Sequence, residues 1–247
     1  SIWPSKKEVV MKDEVPGSIP GLGSNNVIKT VKIFWHLYVR NPILFIGQAI
    51  TNWRVVGSIF PTSAPLRKAV VIAGRGGQKK FDLIIIHGDG TGEFVYEILR
   101  QAHEDNLVIK NLIAMDVNEK FTENATKLLT NITAKYPSRT KVIFETMDAL
   151  NTAQYLAKRN IGKADLVIGA IPYSILPKQL EAWAELYGNI TSNFVYYTYL
   201  PMFKRAKQKL AMRAFMQELK KYFSNVEEHT TVLANIPPAK VIVAETT

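Results

Sequence analysis

The chain has 247 residues, of which 47% are apolar and 21% charged, and its formal net charge is +10. That length suits one large domain, or one domain with an extension, around a sizeable core. There is no cysteine, so disulfides and thiolate metal sites are excluded, and no apolar run reaches the roughly 18 residues that a spanning helix needs.

Residues 1–26 carry Pro4, Pro16, Gly17, Pro20, Gly21 and Gly23 without periodicity, and read as a flexible arm unlike a secretory signal. From Val27 the pattern changes. Val27, Ile28, Val31, Phe34, Trp35, Tyr38 and Val39 fall at helical spacing, with Lys29, Lys32, His36 and Arg40 on the other side. Asn41-Pro42 breaks this helix, and a second short apolar helix is expected over residues 43–53. No acidic residue lies between Glu14 and Asp82, whereas nine lysines and arginines do. A basic, aromatic, amphipathic stretch of this kind over residues 27–55 suits an anionic membrane interface, with Lys29, Lys32, Phe34, Trp35 and Arg40 as contacts. Packing on the domain or on a partner is the alternative.

Thr62 or Ser63 is expected to cap a helix with Pro65 in its first turn, ending near Gly74, Gly76 and Gly77. The chain is organised around residues 82–92. Leu83-Ile84-Ile85-Ile86 reads as a strand buried on both faces. His87-Gly88-Asp89-Gly90-Thr91-Gly92 is a glycine turn, and Glu93 to Leu99 shows helical spacing. Strand, glycine turn and helix bring backbone close to a cofactor, although a tight turn that binds nothing shares the pattern.

The alternation continues. Strands are expected at residues 112–115, 141–145, 165–170 and 194–199, and helices at 119–135 (capped by Asn118), 152–158, 178–187 and 204–223. Residues 230–233 and 240–244 read as a closing antiparallel hairpin. The order implies a mostly parallel sheet with helices on both faces, and ligands of such sheets bind at the carboxyl ends of the strands. Four ends carry chemistry: the glycine loop, Asp116 placed for ribose hydroxyls, Asp148 placed for an adenine amino group, and the loop from Ala170 to Pro177. His36, His87, His103 and His229 lack partners at metal-ligand spacing, and no metal is expected.

In this order the glycine loop, Asp116, Asp148 and Ile171-Pro172-Tyr173 resemble the class I S-adenosylmethionine-dependent methyltransferases. Within them the chain is most similar to the bacterial phospholipid (phosphatidylethanolamine) N-methyltransferases. The segment Gly57 to Ala69, Tyr196-Tyr197-Thr198-Tyr199 with Pro201, and Asn235-Ile236-Pro237-Pro238-Ala239-Lys240-Val241 carry that likeness. It spans about residues 53–245, with 56–247 as the catalytic domain.

The resemblance implies an α/β Rossmann-like fold with a C-terminal antiparallel hairpin, here preceded by the N-terminal amphipathic helical extension. It implies S-adenosylmethionine as donor, S-adenosylhomocysteine as product, and methyl transfer to the amine headgroup of phosphatidylethanolamine or its methylated forms. The enzyme would sit in the cytoplasm on the inner face of the membrane. Implied cofactor contacts are Ser63, His87, Gly88, Asp89, Gly90, Gly92, Asp116, Val117, Met147, Asp148, Ala149, Ala170 and Ile171. Tyr173 and Tyr199 would assist chemistry, and Tyr173, Tyr197 and Tyr199 would face the substrate amine through cation–π attraction. Tyr196 and Trp183 read as core.

Two positions depart from that family. Ile86 stands where an acid usually helps hold the donor's amino group, and Tyr196 stands where Gln is usual. Ile86 motivates a rival reading, an inactive methyltransferase-fold module that binds lipid or protein. A second rival, an rRNA adenine dimethylase-like enzyme, usually carries Asn or Asp where this chain has Ala170, so nucleic acid is not favoured.

Overall fold

Ser63 and Pro65 open a helix as their chemistry dictates. In the computed structural model, which describes residues 8–9, 62–171, 177–200 and 205–246, α1 spans Ala64–Arg75. The Ser63 hydroxyl accepts from the Leu66 N–H, and Gly76 closes the helix in the left-handed region. The expected helices at residues 27–55, with Lys29, Lys32, Phe34, Trp35 and Arg40, lie outside the described residues.

The other elements obey the α/β alternation. Glu8–Val9 is a two-residue β1; β2 is Lys80–His87, α2 Glu93–Glu104, β3 Val108–Asp116 and α3 Glu119–Lys135. Next come β4 Lys141–Thr146, α4 Thr152–Lys158, β5 Leu166–Gly169, α5 Leu180–Ile190 and β6 Asn193–Tyr199. The described chain closes with α6 Arg205–Leu219, β7 Asn225–Val232 and β8 Ala239–Glu245.

The sheet order is β1-β4-β3-β2-β5-β6-β8-β7. The central five, β4 to β6, are mutually parallel; β8 runs antiparallel to both β6 and β7, and β1 antiparallel to β4. Order reverses at β2, where β3 lies on one side and β5 on the other, and the strand ends around such a reversal are where ligands of open α/β sheets bind.

Helices α1, α2 and α3 cover one face, with Leu66, Val70, Phe94, Ile98 and Leu128 packed on Ile84 and Ile86. Helices α4, α5 and α6 cover the other, where Tyr155, Trp183, Tyr187 and Phe215 pack on Ile85, Phe194 and Tyr196. Trp183 and Tyr196 are thus core, as their spacing suggests. Burial on both faces is what the unbroken apolar run of β2 encodes.

Some boundaries differ from expectation. The last hairpin begins at Asn225, not residue 230, because β7 is an edge strand with a mostly exposed, polar sequence. Its alternation is therefore weak. Residues 177–179 form a 3₁₀ turn ahead of α5, so that helix starts at Leu180 rather than Lys178. The basic helix α6 ends at Leu219, before Phe223.

The acid-free stretch is also less free than its composition implies. Arg67 is buried against Glu93 at 3.7 Å, and Arg75 pairs with Asp105 at 2.5 Å. Acids contributed by α2 and the residue after it neutralise part of that charge. Among the described residues no helix is long and apolar enough to cross a membrane.

Candidate active site

Backbone hydrogen bonds carry the parallel ladder past the strand ends and hold the loops side by side. Gly88 N–H donates to Met115 C=O (2.8 Å), Ala170 N–H to His87 C=O (2.8 Å), and Met147 N–H to Asp116 C=O (3.0 Å). The structure therefore brings together the loops after β2, β3, β4 and β5.

Glycine is required at two points of the first loop. Gly88 has φ +78°, and a Cβ there would lie 3.1 Å from both the Ala170 carbonyl oxygen and Ile171 Cγ1. Gly92 has φ +92° and sits 3.1 Å, by the same construction, from Ala125 Cβ of α3. Gly90, φ +63°, instead faces open space. Its N–H donates to Asp116 Oδ2 at 3.0 Å, while Asp116 Oδ1 accepts from Asn118 N–H at 2.8 Å. Burial raises the Asp116 carboxyl above its usual range, and these two backbone donors oppose the shift.

Asp89 is 5% exposed. Its Oδ1 accepts from Phe94 N–H at 2.8 Å and so caps α2, whose N-cap Gly92 has no side chain to do so. Its Oδ2 is buried without a hydrogen-bond partner. Burial first, then the nearby Glu93 and Asp116 carboxylates, push its ionisation well above the usual carboxylate range, against the Phe94 and Val95 N–H groups.

The other expected contacts line the neighbouring strand ends. Val117, next to Asp116, leaves an apolar side chain 54% exposed. Asp148 is exposed, with Oδ1 capping the 3₁₀ turn through Leu150 N–H at 2.9 Å. Ala149 is buried beneath it, and Met147 packs at the edge of the second core. Ala170 and Ile171 face Gly88.

His87 differs from its neighbours. Its ring is fully buried between Thr152 Oγ1 (3.0 Å) and Tyr187 Oη (3.3 Å), and burial lowers its pKa to about 3. It is neutral there, and only its backbone stays at the loop. Tyr173 lies outside the described residues.

Beside the glycine loop stands a polar wall that the sequence did not signal as a unit. Thr62 Oγ1 bonds to Tyr197 Oη at 2.9 Å, and the Tyr197 ring stacks on Phe94. Burial raises the Tyr197 phenol above its usual value, so it stays protonated. Tyr199 meets Tyr197 edge-on at 5.6 Å. Ser63 N–H donates to Oδ1 of the buried Asn235, whose Nδ2 donates to Pro237 C=O. Arg67 donates to Thr62 C=O and pairs with Glu93. The Asn-Ile-Pro-Pro motif pointed at Asn235 without a role for it. Glu93, one residue past the glycine loop, was the available signal for the ion pair.

Two apolar side chains stand out at this end of the sheet. Leu233 (75% exposed) and Ile236 (72%) flank Asn235 on the β7–β8 loop. No group of acidic residues or histidines among the described residues could hold a metal ion.

No protein-family model and no curated protein sequence matches the chain. Solved structures do. The O-methyltransferase from Bacillus cereus in complex with SAH is similar over 89% of this chain and 97% of its own, with a TM-score of 0.55 and 10% identity. The plantazolicin methyltransferase BpumL in complex with SAH is similar over 90% of this chain and 96% of its own, with a TM-score of 0.51 and 10% identity. The bifunctional kinase-methyltransferase WbdD reaches a TM-score of 0.50 at 9% identity; the match covers 73% of this chain and 38% of that one. The fold is that of the class I methyltransferases.

Proposed function

We propose that the chain is an S-adenosylmethionine-dependent N-methyltransferase that acts on the amine headgroup of phosphatidylethanolamine, or its methylated forms, at an anionic membrane surface. One observation supports the donor assignment: Asp116, at the end of β3, is fixed against the Gly90 N–H of the loop after β2, the strand at which the sheet order reverses. The residues fit such a donor. Gly90 faces open space, Val117 offers an exposed apolar surface to an adenine ring, and Asp116 offers acceptors to ribose hydroxyls. Asp148, Ala149, Met147, Ala170 and Ile171 would complete the nucleoside side. Ser63 and the loop from His87 to Gly92 would hold the methionine end.

The donor supplies an electrophilic methyl group on a sulfonium. The amine lone pair forms the new C–N bond as the C–S bond breaks, and the amine must shed a proton. The protein's part is alignment, which supplies most of the acceleration in such a displacement. Tyr197 is held by Thr62 and Phe94 and serves as a fixed aromatic wall. Tyr199 beside it, with Tyr173, would face the ammonium through their rings.

The lipid assignment rests on the motif likeness and on the site's rim. Leu233 and Ile236 project at the same end of the sheet, and α6 exposes Lys209, Leu210 and Arg213. Apolar and basic side chains together suit an anionic bilayer interface. Residues 27–55 with Lys29, Lys32, Phe34, Trp35 and Arg40 would add to that contact, which would place the protein on the inner face of the cell membrane.

The test is calorimetric titration with S-adenosylmethionine and S-adenosylhomocysteine, without and with anionic vesicles, and then radiolabelled methyl transfer to vesicle phosphatidylethanolamine. Micromolar binding and labelled lipid are expected. Absence of binding in both conditions defeats the enzyme reading. Binding without labelled lipid overturns only the acceptor.

A further inference from the structure

His87 opens the glycine loop, yet its side chain is fully buried in the core. There both ring nitrogens have partners. Nε2 lies 3.0 Å from Thr152 Oγ1, and Nδ1 lies 3.3 Å from Tyr187 Oη. Thr152 is fully buried too, with its Oγ1 2.6 Å from the Ala149 carbonyl oxygen and 3.2 Å from Met115 Sδ. A threonine hydroxyl has one proton and two lone pairs. The carbonyl is the nearest and strongest acceptor, so the proton goes there, and Oγ1 then receives the His87 Nε2–H. Nδ1 is left to accept from the Tyr187 hydroxyl. The three bonds run in one direction, from α5 through the end of β2 to the loop after β4.

We infer that His87 is a positioning residue for the adenine end of the site: through Thr152 it fixes the Ala149 carbonyl, and with it the turn from which Asp148 meets the adenine amino group. This rests on the donor proposed above. Ala149 directly follows the exposed Asp148, whose Oδ1 accepts from Leu150 N–H in the same turn. The direction of that carboxylate is therefore set by the turn that the Thr152 hydroxyl anchors. The His87 carbonyl accepts from Ala170 N–H at 2.8 Å, so this one residue joins the loops after β2, β4 and β5. An apolar side chain would fill the same space with less desolvation. What the imidazole adds is direction, because a fully satisfied buried relay fixes one arrangement of the groups it links. A base with an amino group gains from that arrangement. A base with a carbonyl oxygen in its place meets Asp148 acceptor to acceptor.

S-adenosylhomocysteine and S-inosylhomocysteine, which carries a carbonyl oxygen where adenine has its amino group, are titrated into wild type and variants. Wild type should prefer S-adenosylhomocysteine by at least about tenfold. His87→Leu leaves Thr152 Oγ1 without its donor and should cut that preference roughly 3- to 10-fold. Thr152→Val, which keeps the side chain's shape, breaks the relay from the other side and should cut it at least as far. The double variant should lose no more than Thr152→Val alone, because His87 acts only through that hydroxyl. His87→Gln can offer an amide N–H at the reach of Nε2 and should return the preference to within about twofold of wild type. A role confined to packing would lower the melting temperature of these variants and leave the preference unchanged. Unchanged preference in both single variants, or additive losses in the double variant, would overturn the inference. A wild type that binds both ligands equally would remove Asp148 from the adenine and the inference with it. A wild type that binds neither would overturn the donor reading itself, and with it everything that rests on it.

Discussion

Removing the Arg67 guanidinium exposes how much the first loop depends on one buried ion pair. Arg67 is 4% exposed and Glu93 is 7% exposed, with 3.7 Å between Nη1 and Oε2. At an effective dielectric near 20, two charges at that separation attract by about 4 to 5 kcal/mol. Breaking such a pair while leaving its partner buried typically costs ~3–5 kcal/mol. Arg67→Met should therefore destabilise the fold by that amount at pH 8. In a domain of this size that lowers the melting temperature by roughly 10 °C.

The deficit should depend on pH with a definite sign. Burial already raises the Glu93 carboxyl, and Arg67 pulls it back. Without Arg67 it rises further. A carboxyl raised in the folded state favours folding at low pH and disfavours it as pH climbs through its folded value. The Arg67→Met deficit should therefore shrink from pH 8 towards pH 5. Arg67→Met combined with Glu93→Gln should recover part of the loss at pH 8. Urea unfolding monitored by circular dichroism at both pH values reads all three proteins. A deficit independent of pH, with no recovery in the double variant, would refute an uncompensated carboxylate as its cause.

Asp116→Ala deprives the Gly90 and Asn118 N–H groups of their acceptor, and donor affinity measured by calorimetry should fall at least about tenfold. Gly88→Ala and Gly90→Ala share the positive-φ penalty of ~1–2 kcal/mol. Only Gly88→Ala also drives a Cβ against the Ala170 carbonyl and Ile171, so it should melt lower than Gly90→Ala in a side-by-side scan. Leu233→Asp with Ile236→Asp, both at exposed positions, should reduce sedimentation with anionic vesicles while leaving S-adenosylhomocysteine titration unchanged; undiminished sedimentation would remove this loop from the membrane contact.

Local signals carried most of the architecture. Asn118 and Tyr136 bracket α3 at the boundaries their chemistry demands, and Ser63 with Pro65 does the same for the start of α1. The glycine loop was legible because Gly88 and Gly92 answer contacts that no side chain tolerates. What escaped was non-local. Arg67 looked like one more cation in a basic stretch, because its burial depends on Glu93 of another helix. The inward turn of His87 depends on Thr152 and Tyr187, 65 and 100 residues away. The start of β7 was hidden because an edge strand with both faces largely in solvent loses its alternation.

The bond from Ser63 N–H to Asn235 Oδ1 joins residues 172 positions apart. It ties the entrance of α1 to the hairpin of β7 and β8. A chain emerging from the ribosome can pair β2 with β3, and β3 with β4, long before that hairpin exists. The wall formed by Thr62, Ser63 and Tyr197 has to wait for it, since contacts so distant in sequence carry the largest loop-closure cost. Donor-binding competence should therefore be among the last properties acquired during synthesis. A product clipped within the last hairpin would retain the glycine loop and Asp116 yet lack the clasp that holds the neighbouring helix against them.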